Sequence, residues 1–329
     1  MIQISIIGMG LIGTSLGMAL RSASKENSVL GNITITGYDH DQRATADARN
    51  RLAIDKVAKR LEEATRDAQL IIMAVPPQIL HELFTAMAPT LPHGTVVTDV
   101  ASTKTQIMAW ADELLPRTID FVGGHPMAGK EQSGPAAAET DLFKNTLYCL
   151  SPAPRTKQSA IDLVDGMVHH IGAKPYYIDP VEHDSYVAAV SHLPFVLSRA
   201  LVEVTHRSPS WKEMAPLAAT GFRDISRLAS GDVAMHRDIC ITNQEALTRW
   251  IDETIMFLQE MREHLSNADH EQITDVFQRT QEAREEWLRS RPNMRPGESE
   301  YENITGENVE RPGILDRMFG MRGPRDKRP

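Results

Sequence analysis

The chain has 329 residues and a formal net charge of −9 at pH 7; this length predicts two domains, and this charge argues against a nucleic-acid partner. Its two cysteines lack metal-binding spacing, so we expect no metal and a reducing compartment. No signal-like start and no apolar run near the roughly 20 residues of a membrane helix occur, which predicts a cytoplasmic protein without a membrane partner.

Up to about residue 180, short apolar runs alternate with longer amphipathic segments. The short runs, rich in β-branched residues, predict strands, and the amphipathic segments predict helices. Strands that alternate with helices form a largely parallel sheet, because each connection must cross back over the sheet. The predicted strands are IQISIIG, NITITGYD, QLIIMAV, TVVTDVA, IDFVGG, LYCLSP and KPYYID, and the predicted helices include residues 14–25, 78–88, 103–115 and 157–171.

The first predicted strand leads into the sequence GMGLIG, and a helical pattern follows. Three glycines at this spacing between a strand and a helix are typical of a turn that binds the pyrophosphate of a dinucleotide. Gly8 allows the tight turn, Gly10 lets the phosphates approach the backbone, and Gly13 lets the helix pack closely on the strand. We predict cofactor contacts from these glycines and from Leu11 and Ile12 at the helix N-terminus.

Asp39 ends the second predicted strand, in the sequence GYD. A carboxylate there can accept hydrogen bonds from both ribose hydroxyls of adenosine, and it repels a 2′-phosphate, so NAD is predicted rather than NADP. Val75 and Pro76 follow a later strand. Ligands of doubly wound sheets bind beyond the carboxyl ends of the strands, so these two residues are predicted on the nicotinamide side. A proline there suits a plain helix start equally well.

The segment GGHPMAGKEQSG, residues 123–134, follows another predicted strand, and its glycines predict a loop. His125 would then be partly exposed beside the cofactor turn, and an imidazole exchanges a proton near neutral pH. His125 is therefore a candidate for proton exchange at the site, although most lone histidines are plain surface residues.

The second half of the chain shows apolar residues at helical spacing and hardly any strand pattern. Asp179 suits the N-cap of a long helix and Pro180 its first position. The pattern predicts an α/β protein in which residues 1–180 form an N-terminal Rossmann-type domain with a mainly parallel sheet, and residues 181–290 form an all-helical domain. Residues 291–329 are rich in proline, glycine and charge, which predicts a disordered tail.

Two further groups in the helical half are candidates for substrate binding. His192 precedes Pro194 in the long helix, where a proline is expected to kink the helix and free polar groups near a pocket, unless the kink serves packing alone. Arg223 and Arg227 are four residues apart and are predicted to share one helical face. They suit bidentate binding of a carboxylate, but pairing with nearby aspartates is an equal alternative.

Five motifs occur in the order GMGLIG, DVASTK, GHPMAG with Glu131, SHLP and GFRDISR. In this order they resemble the prephenate dehydrogenase family of tyrosine biosynthesis, which includes the arogenate and cyclohexadienyl dehydrogenases. The resemblance covers residues 1 to about 290. It implies an enzyme that uses NAD to convert prephenate into 4-hydroxyphenylpyruvate by oxidation and decarboxylation, and a homodimer joined through the helical domain.

The resemblance also implies a role for each matching residue. His125 accepts the proton of the substrate hydroxyl, Ser102 hydrogen-bonds the same hydroxyl, and Arg227 binds a substrate carboxylate. Glu131 orders the loop or takes part in gating, and His192 lies near the substrate.

Two positions depart from the family pattern and leave alternatives open. Phe195 and His236 stand where many prephenate-specific relatives carry a histidine and a tryptophan, so an arogenate or dual-specificity enzyme is the nearest alternative. A different class is an NAD-binding regulator without turnover, which would not need Ser102, His125 and Arg227 together. A β-hydroxyacid dehydrogenase is a more distant alternative, because the lysine that such enzymes use in their second domain has no matching motif here.

Overall fold

Eight strands form one sheet in the computed structural model, which describes residues 1–22, 30–130 and 132–290. Its order is β3-β2-β1-β4-β5-β6-β7-β8, and every neighbouring pair is parallel except β6 and β7. The strands are β1 (Ile2–Ile7), β2 (Ile33–Tyr38), β3 (Lys56–Val57), β4 (Leu70–Met73), β5 (Val96–Asp99), β6 (Asp120–Pro126), β7 (Leu147–Pro152) and β8 (Lys174–Tyr177).

Helices cover both faces of this sheet, so its central strands are apolar on both sides. On β4, Leu70 and Ile72 pack into one apolar cluster, whereas Ile71 and Met73 pack into the other, because successive side chains point to opposite faces. The helices are α1 (Leu11–Ser22), α2 (Gln42–Asn50), α3 (Leu61–Thr65), α4 (Pro77–Met87), α5 (Thr105–Leu114) and α6 (Gln158–His170). Residues of α1 and α6 join the first cluster, and residues of α4 and α5 join the second.

Residues beyond Tyr177 that the structure describes are mostly helical. These helices are α7 (Pro180–Val187), α8 (Leu193–His206), α9 (Trp211–Met214), α10 (Thr220–Ser226), α11 (Val233–Thr242), α12 (Gln244–Ser266) and α13 (His270–Ser290). Asp179 caps α7, because its carboxylate accepts from the backbone amides of Val181 and Glu182. Helix α7 packs on α5 and α11 on α4, so the helical half contacts the carboxyl edge of the sheet.

Helices α7 and α8 are joined by a π-helical turn, Ala188–His192, into one helix of 27 residues. Pro194 has no backbone N–H, and the turn before it widens so that the Leu193 amide donates to the carbonyl of Ala188, five residues back. By length and composition alone, this helix is long enough to cross a membrane. The sequence prediction, that no apolar run approaches about 20 residues, did not anticipate this helix, because charged residues interrupt its apolar stretch without ending the helix. A core helix of a soluble protein passes the same criterion.

The predicted α/β class with a mainly parallel sheet and a helical second half is confirmed. All seven predicted strands are present, and β3, only two residues long, was not predicted. The prediction of a loop at residues 123–134 is wrong for its first part, because residues 123–126 belong to β6. The exact domain bounds stay a prediction. Glu131, the end of the predicted helix 14–25 and the predicted disorder of residues 291–329 lie outside the described residues.

Candidate active site

The glycine turn after β1 leaves no room for side chains at two of its three glycines. Gly8 has φ +95°, and a Cβ on it would lie 2.2 Å from the carbonyl oxygen of Ala74. A Cβ on Gly13 would lie 1.9 Å from the carbonyl oxygen of Gly8. Beside Gly10, in contrast, a Cβ would meet no atom within 4 Å. The turn is therefore tightly packed on the strand side and open on the other, which fits the pyrophosphate of a dinucleotide.

Asp39 connects the end of β2 to this turn. One of its carboxylate oxygens accepts from the Met9 amide at 2.7 Å and the other from the Asp41 amide at 2.9 Å, while its side chain is 12% exposed. Each oxygen keeps acceptor capacity for a ribose hydroxyl. Val75 packs against Gly8, and Pro76 lies exposed at the N-cap of α4. Both lie at the carboxyl edge, so the residues present here fit NAD.

A buried ion pair lies between β5 and α5. Lys104 and Asp99 are both fully buried, and the lysine ammonium is hydrogen-bonded to the Asp99 carboxylate. The carboxylate also accepts from the amides of Ala101 at 2.9 Å and Gly124 at 3.0 Å. Such bonds offset the high cost of burying both charges. The pair ties the end of β5 to β6, and half-buried Ser102 lies in the connection that it braces.

His125 is the next-to-last residue of β6 and is only 9% exposed. The prediction of a partly exposed loop histidine is wrong, because β6 continues through the glycines and pairs His125 with Cys149 of β7. Its Nδ1 lies 2.9 Å from Nε2 of His183. Burial holds the pKa of His125 well below its usual value, and positive charge on His183, Lys104 or His192 would lower it further. The imidazole is therefore neutral at physiological pH.

His192 is fully buried at the end of the π-helical turn. The amide Nδ2 of Asn243 lies 3.1 Å from its Nδ1 and can only donate, so Nδ1 is the acceptor and Nε2 carries the hydrogen. Among the described residues, this Nε2 has no hydrogen-bond partner. Burial lowers the pKa of His192 to about 4. The residue is thus a neutral, buried donor that a ligand could satisfy.

Phe195 and His236 stack face to face next to His192. Their ring centroids are 4.0 Å apart at an interplanar angle of 8°, and the His192 ring is 6.0 Å from Phe195. Arg199 donates to Nδ1 of His236 at 3.1 Å. Burial lowers the pKa of His236, and the Arg199 charge lowers it further. The two departures from the family pattern therefore form one aromatic surface.

Arg223 and Arg227 are both exposed. Helix α10 ends at Ser226, and Arg227 starts a 3₁₀ turn with its backbone still helical, so the shared helical face of the two arginines stays a prediction. Arg223 lies 3.7 Å from the carboxylate of its neighbour Asp224. The structure thus brings His125 and His192 into one buried polar group, whereas the two arginines lie on the surface of the helical half.

Sequence reasoning missed His183, Asp184 and Asn243, which connect the two buried histidines. His183 is 1% and Asp184 4% exposed, on the side of α7 that faces the sheet. Asn243 donates both to His192 and, at 2.8 Å, to the carbonyl oxygen of Asp184. The available signal was two adjacent ionisable residues, His183 and Asp184, one turn after a capped helix start.

Two family models match the chain. The nucleotide-binding domain of prephenate dehydrogenase matches residues 23–177, and its dimerization domain matches residues 179–279. Prephenate dehydrogenase of Bacillus subtilis is 33% identical over 284 residues, which cover 86% of this chain and 75% of that protein.

Two crystal structures share this architecture over most of their length. Prephenate dehydrogenase of Aquifex aeolicus, in complex with hydroxyphenyl propionate and NAD+, is 26% identical with a TM-score of 0.79, covering 87% of this chain and 98% of that one. Synechocystis arogenate dehydrogenase is 29% identical with a TM-score of 0.73, covering 87% and 100%. On these matches and the site described above, the chain belongs to the prephenate dehydrogenase family of NAD-dependent oxidoreductases.

Proposed function

We propose that this protein uses NAD to convert prephenate into 4-hydroxyphenylpyruvate by oxidation and decarboxylation. One observation carries the proposal: a buried imidazole, His125, at the same carboxyl edge of the sheet as the glycine turn, where burial lowers its pKa. A general base must be unprotonated at the working pH, and His125 meets that condition. The related proteins of Bacillus subtilis and Aquifex aeolicus, both named prephenate dehydrogenase, support the same reaction.

Prephenate carries a ring hydroxyl, a ring carboxylate and a pyruvyl side chain. Bound NAD supplies the acceptor for the hydride of the carbinol carbon. His125 takes the hydroxyl proton as the carbon–oxygen bond becomes a carbonyl. The ring carboxylate then leaves as carbon dioxide, and the electron pair of the broken carbon–carbon bond flows through the ring to the oxygen, which regains a proton as the ring becomes aromatic. Formation of the aromatic ring drives the reaction, so the protein mainly orients the substrate and accepts and returns one proton.

The remaining roles follow from the same proposal. Ser102, after β5, hydrogen-bonds the reacting hydroxyl, and Arg227, with Arg223 nearby, binds a carboxylate of the substrate. Glu131 orders or gates the segment after β6. Since Arg227 acts in binding, Arg227→Ala is expected to raise KM at least tenfold with a smaller change in kcat. A kcat loss without a KM change would contradict this role.

The aromatic surface beside His192 favours prephenate over arogenate. The two substrates differ in the side chain, which carries a keto group in prephenate and an ammonium group in arogenate. His192 offers a buried N–H, and neither Phe195, His236 nor Arg199 carries a negative charge. A keto oxygen can accept from such donors, whereas an ammonium group needs an acceptor. The arogenate or dual-specificity enzyme remains the second candidate because of Phe195, and Phe195→His tests that position directly.

The decisive assay follows absorbance of NADH with purified protein, NAD, and either prephenate or arogenate. We expect prephenate to give the higher kcat/KM. Faster turnover of arogenate would establish the second candidate instead. NAD binding without turnover of either substrate would contradict the enzyme proposal and favour an NAD-binding regulator.

The same assay tests the cofactor. Because the Asp39 carboxylate repels a 2′-phosphate, we expect a preference for NAD over NADP of at least tenfold. Asp39→Ser is expected to reduce that preference by weakening NAD and admitting NADP. A wild-type preference for NADP would contradict the role given to Asp39.

We further infer a cytoplasmic homodimer built on a Rossmann-type domain, residues 1–180, and a helical domain, residues 181–290. Both cysteines are free thiols, as expected in a reducing compartment. The long helix exposes Val190 (72%) and Val204 (73%), and the matching family model is described as a dimerization domain. Light scattering should give twice the chain mass of 36.6 kDa, and Val204→Lys should shift the equilibrium toward monomer. A wild-type monomer at micromolar concentration would contradict the dimer.

A further inference from the structure

The His183–Asp184 pair on α7 has no part in the reaction described so far, yet it touches the candidate base. His183 Nε2 lies 2.9 Å from Nδ1 of His125, and His183 Nδ1 lies 2.8 Å from Oδ1 of Asp184. All three side chains are buried. They form a continuous line from the end of β6 into the helical half.

The direction of each hydrogen bond follows from the Asp184 end. Its carboxylate accepts from the backbone amides of Lys104 at 2.7 Å and Thr105 at 2.8 Å. These are the amides of the N-cap and first residues of α5, where the Lys104 side chain forms no capping hydrogen bond. Burial alone would raise the pKa of Asp184, but the hydrogen bonds from His183 and these amides outweigh it and lower the pKa. Asp184 is therefore ionised and can only accept.

The tautomers of both imidazoles are then determined. His183 must donate from Nδ1 to the Asp184 carboxylate, which leaves its Nε2 as an acceptor while the ring is neutral. His125 must donate from Nδ1 to that Nε2. The remaining nitrogen of His125, Nε2, holds a lone pair. Nε2 of His125 can therefore accept a proton from the substrate, so His125 has the tautomer that a general base needs.

We propose that His183 is the second proton acceptor of this enzyme and that the proton taken by His125 comes to rest on His183, beside Asp184. The inference rests on the proposed function. The substrate O–H bond breaks as an N–H bond forms at His125 Nε2, and the N–H bond at His125 Nδ1 breaks as one forms at His183 Nε2. No electrons are gained or lost by either ring. The transfer runs backwards when the product oxygen regains its proton.

The charges around the two rings explain why the proton moves on. A proton held on His125 would lie in a buried strand near Lys104, and burial already disfavours that charge. A proton on His183 lies on a ring hydrogen-bonded to a carboxylate. Among the described residues, the other charged or titratable groups beside the two rings are Lys104, which is paired with Asp99, neutral His192, and Cys149 of β7, a neutral thiol because burial raises its pKa to about 11. Opposite charge at hydrogen-bond distance favours the protonated ring, so His183 is the better site.

Nitrogen-15 NMR of histidine-labelled wild-type protein tests the line without any substrate. We expect His125 to be protonated at Nδ1 and not at Nε2 near pH 7.5, and His183 to be the first of the two rings to gain a second proton as the pH falls. His125→Asn and His183→Gln assign the signals. Protonation of His125 at Nε2, or charging of His125 before His183, would overturn the proposal even if prephenate is turned over.

His183→Gln tests the kinetic consequence. The glutamine carbonyl can still accept from His125 Nδ1 and preserve the tautomer, but an amide cannot hold the proton. We expect kcat to fall about 100-fold, KM and NAD affinity to stay within about twofold, and the acid limb of the kcat/KM profile to move to lower pH by about one unit. The matched control is His169→Gln, at an exposed His–Asp pair on α6, with kinetics like the wild type.

The outcomes separate the two proposals. A His183→Gln enzyme with kcat within threefold of the wild type, or with reduced kcat but an unmoved acid limb, would overturn the proton transfer and leave the proposed function intact. Loss of the fold in His183→Gln leaves the NMR tautomers of the wild type as the deciding measurement. A wild-type protein that turns over neither substrate would overturn the proposed function, whatever the NMR result.

Discussion

The sheet half and the helical half hold their polar groups in different ways. In the sheet half, Asp99 bonds Lys104 only five residues away, and full charges are buried as a pair. In the helical half, His192 and Asn243 are 51 residues apart, and Asp184 reaches back 80 residues to Lys104. The buried groups there include the imidazoles of His183 and His192 and the carboxylate of Asp184, which accepts from backbone amides at the start of a helix of the other half.

The difference shows what each half contributes to the site. The sheet half builds a rigid frame, because short-range contacts form wherever the β–α turns form. The helical half adds groups whose protonation depends on burial, and burial exists only once the halves are packed together. Substitutions in the frame should therefore act on folding, whereas substitutions in the helical half should act on pH dependence and on packing between the halves.

The largest effect is expected in the glycine turn. In Gly13→Ala, the new Cβ would lie 1.9 Å from backbone, which cannot move aside without disturbing β1, so we expect the unfolding free energy to fall by at least about 4 kcal/mol. The control Gly10→Ala places its methyl group in open space and should unfold within about 1 kcal/mol of the wild type while binding NAD more weakly. Denaturant unfolding and NAD titration measure both. Equal stability of the two variants would contradict the tight packing.

The next largest effect is expected from breaking the buried ion pair. Lys104→Met leaves the Asp99 carboxylate buried without its partner, which should cost about 3–5 kcal/mol of unfolding free energy. Arg117→Met removes a pair with Asp112 whose side chains are 73% and 55% exposed, and it should cost less than about 1 kcal/mol. Urea unfolding compares them. Equal losses of unfolding free energy in the two variants would contradict the argument that burial determines how much an ion pair stabilises this protein.

In the helical half, His192 should make stability depend on pH. Its pKa is about 4 in the folded protein against an ordinary 6.5. Above pH 6.5, His192 is unprotonated in both the folded and the unfolded protein. Below pH 6.5, His192 gains a proton in the unfolded chain but not in the folded protein. Stability should therefore fall by about 1.4 kcal/mol per pH unit, to a total of about 3 kcal/mol near pH 4. His192→Asn should flatten the unfolding profile by this amount, and His270→Asn, on the exposed surface, should not. A wild-type slope in His192→Asn would contradict the burial argument.

The smallest effect is expected where the halves meet through two hydroxyls. Thr103 lies 2.9 Å from Thr242, which itself donates to the carbonyl of Asp238, so Thr103 is the donor between them. Thr242→Val leaves a buried donor unsatisfied and should cost about 1–3 kcal/mol, whereas Thr103→Val removes only the donor and should cost about 1 kcal/mol or less. Chemical denaturation ranks the two. The reverse order would contradict the assigned direction of the bond.

Much of the sheet half could be predicted because its signals are local. Runs such as LIIM in β4 are apolar on both faces, and the spacing of Gly8, Gly10 and Gly13 identifies the turn. Short β3 carried no such signal, since two residues form no pattern. The antiparallel direction of β7 could not be predicted either, because strand direction depends on the connection rather than on composition.

The helices of the second half were predicted from the sequence, but the buried polar groups that they bring to the site were not. Asp179 and Pro180 marked the start of α7, yet nothing nearby in sequence indicates that the next turn faces His125. His125 itself was identified, but its surroundings were not, because glycines within β6 suggested a loop while the neighbouring strands keep that segment extended. Contacts between distant residues decide protonation here, and a single sequence does not display them.

The central claim is that His125 takes the proton of the substrate hydroxyl. The direct measurement is kcat of His125→Asn with saturating NAD and prephenate, after unfolding experiments have established that the variant is folded. We predict a loss of kcat of about 10²–10⁴-fold, with KM changed far less. Turnover within a few fold of the wild type would contradict the claim.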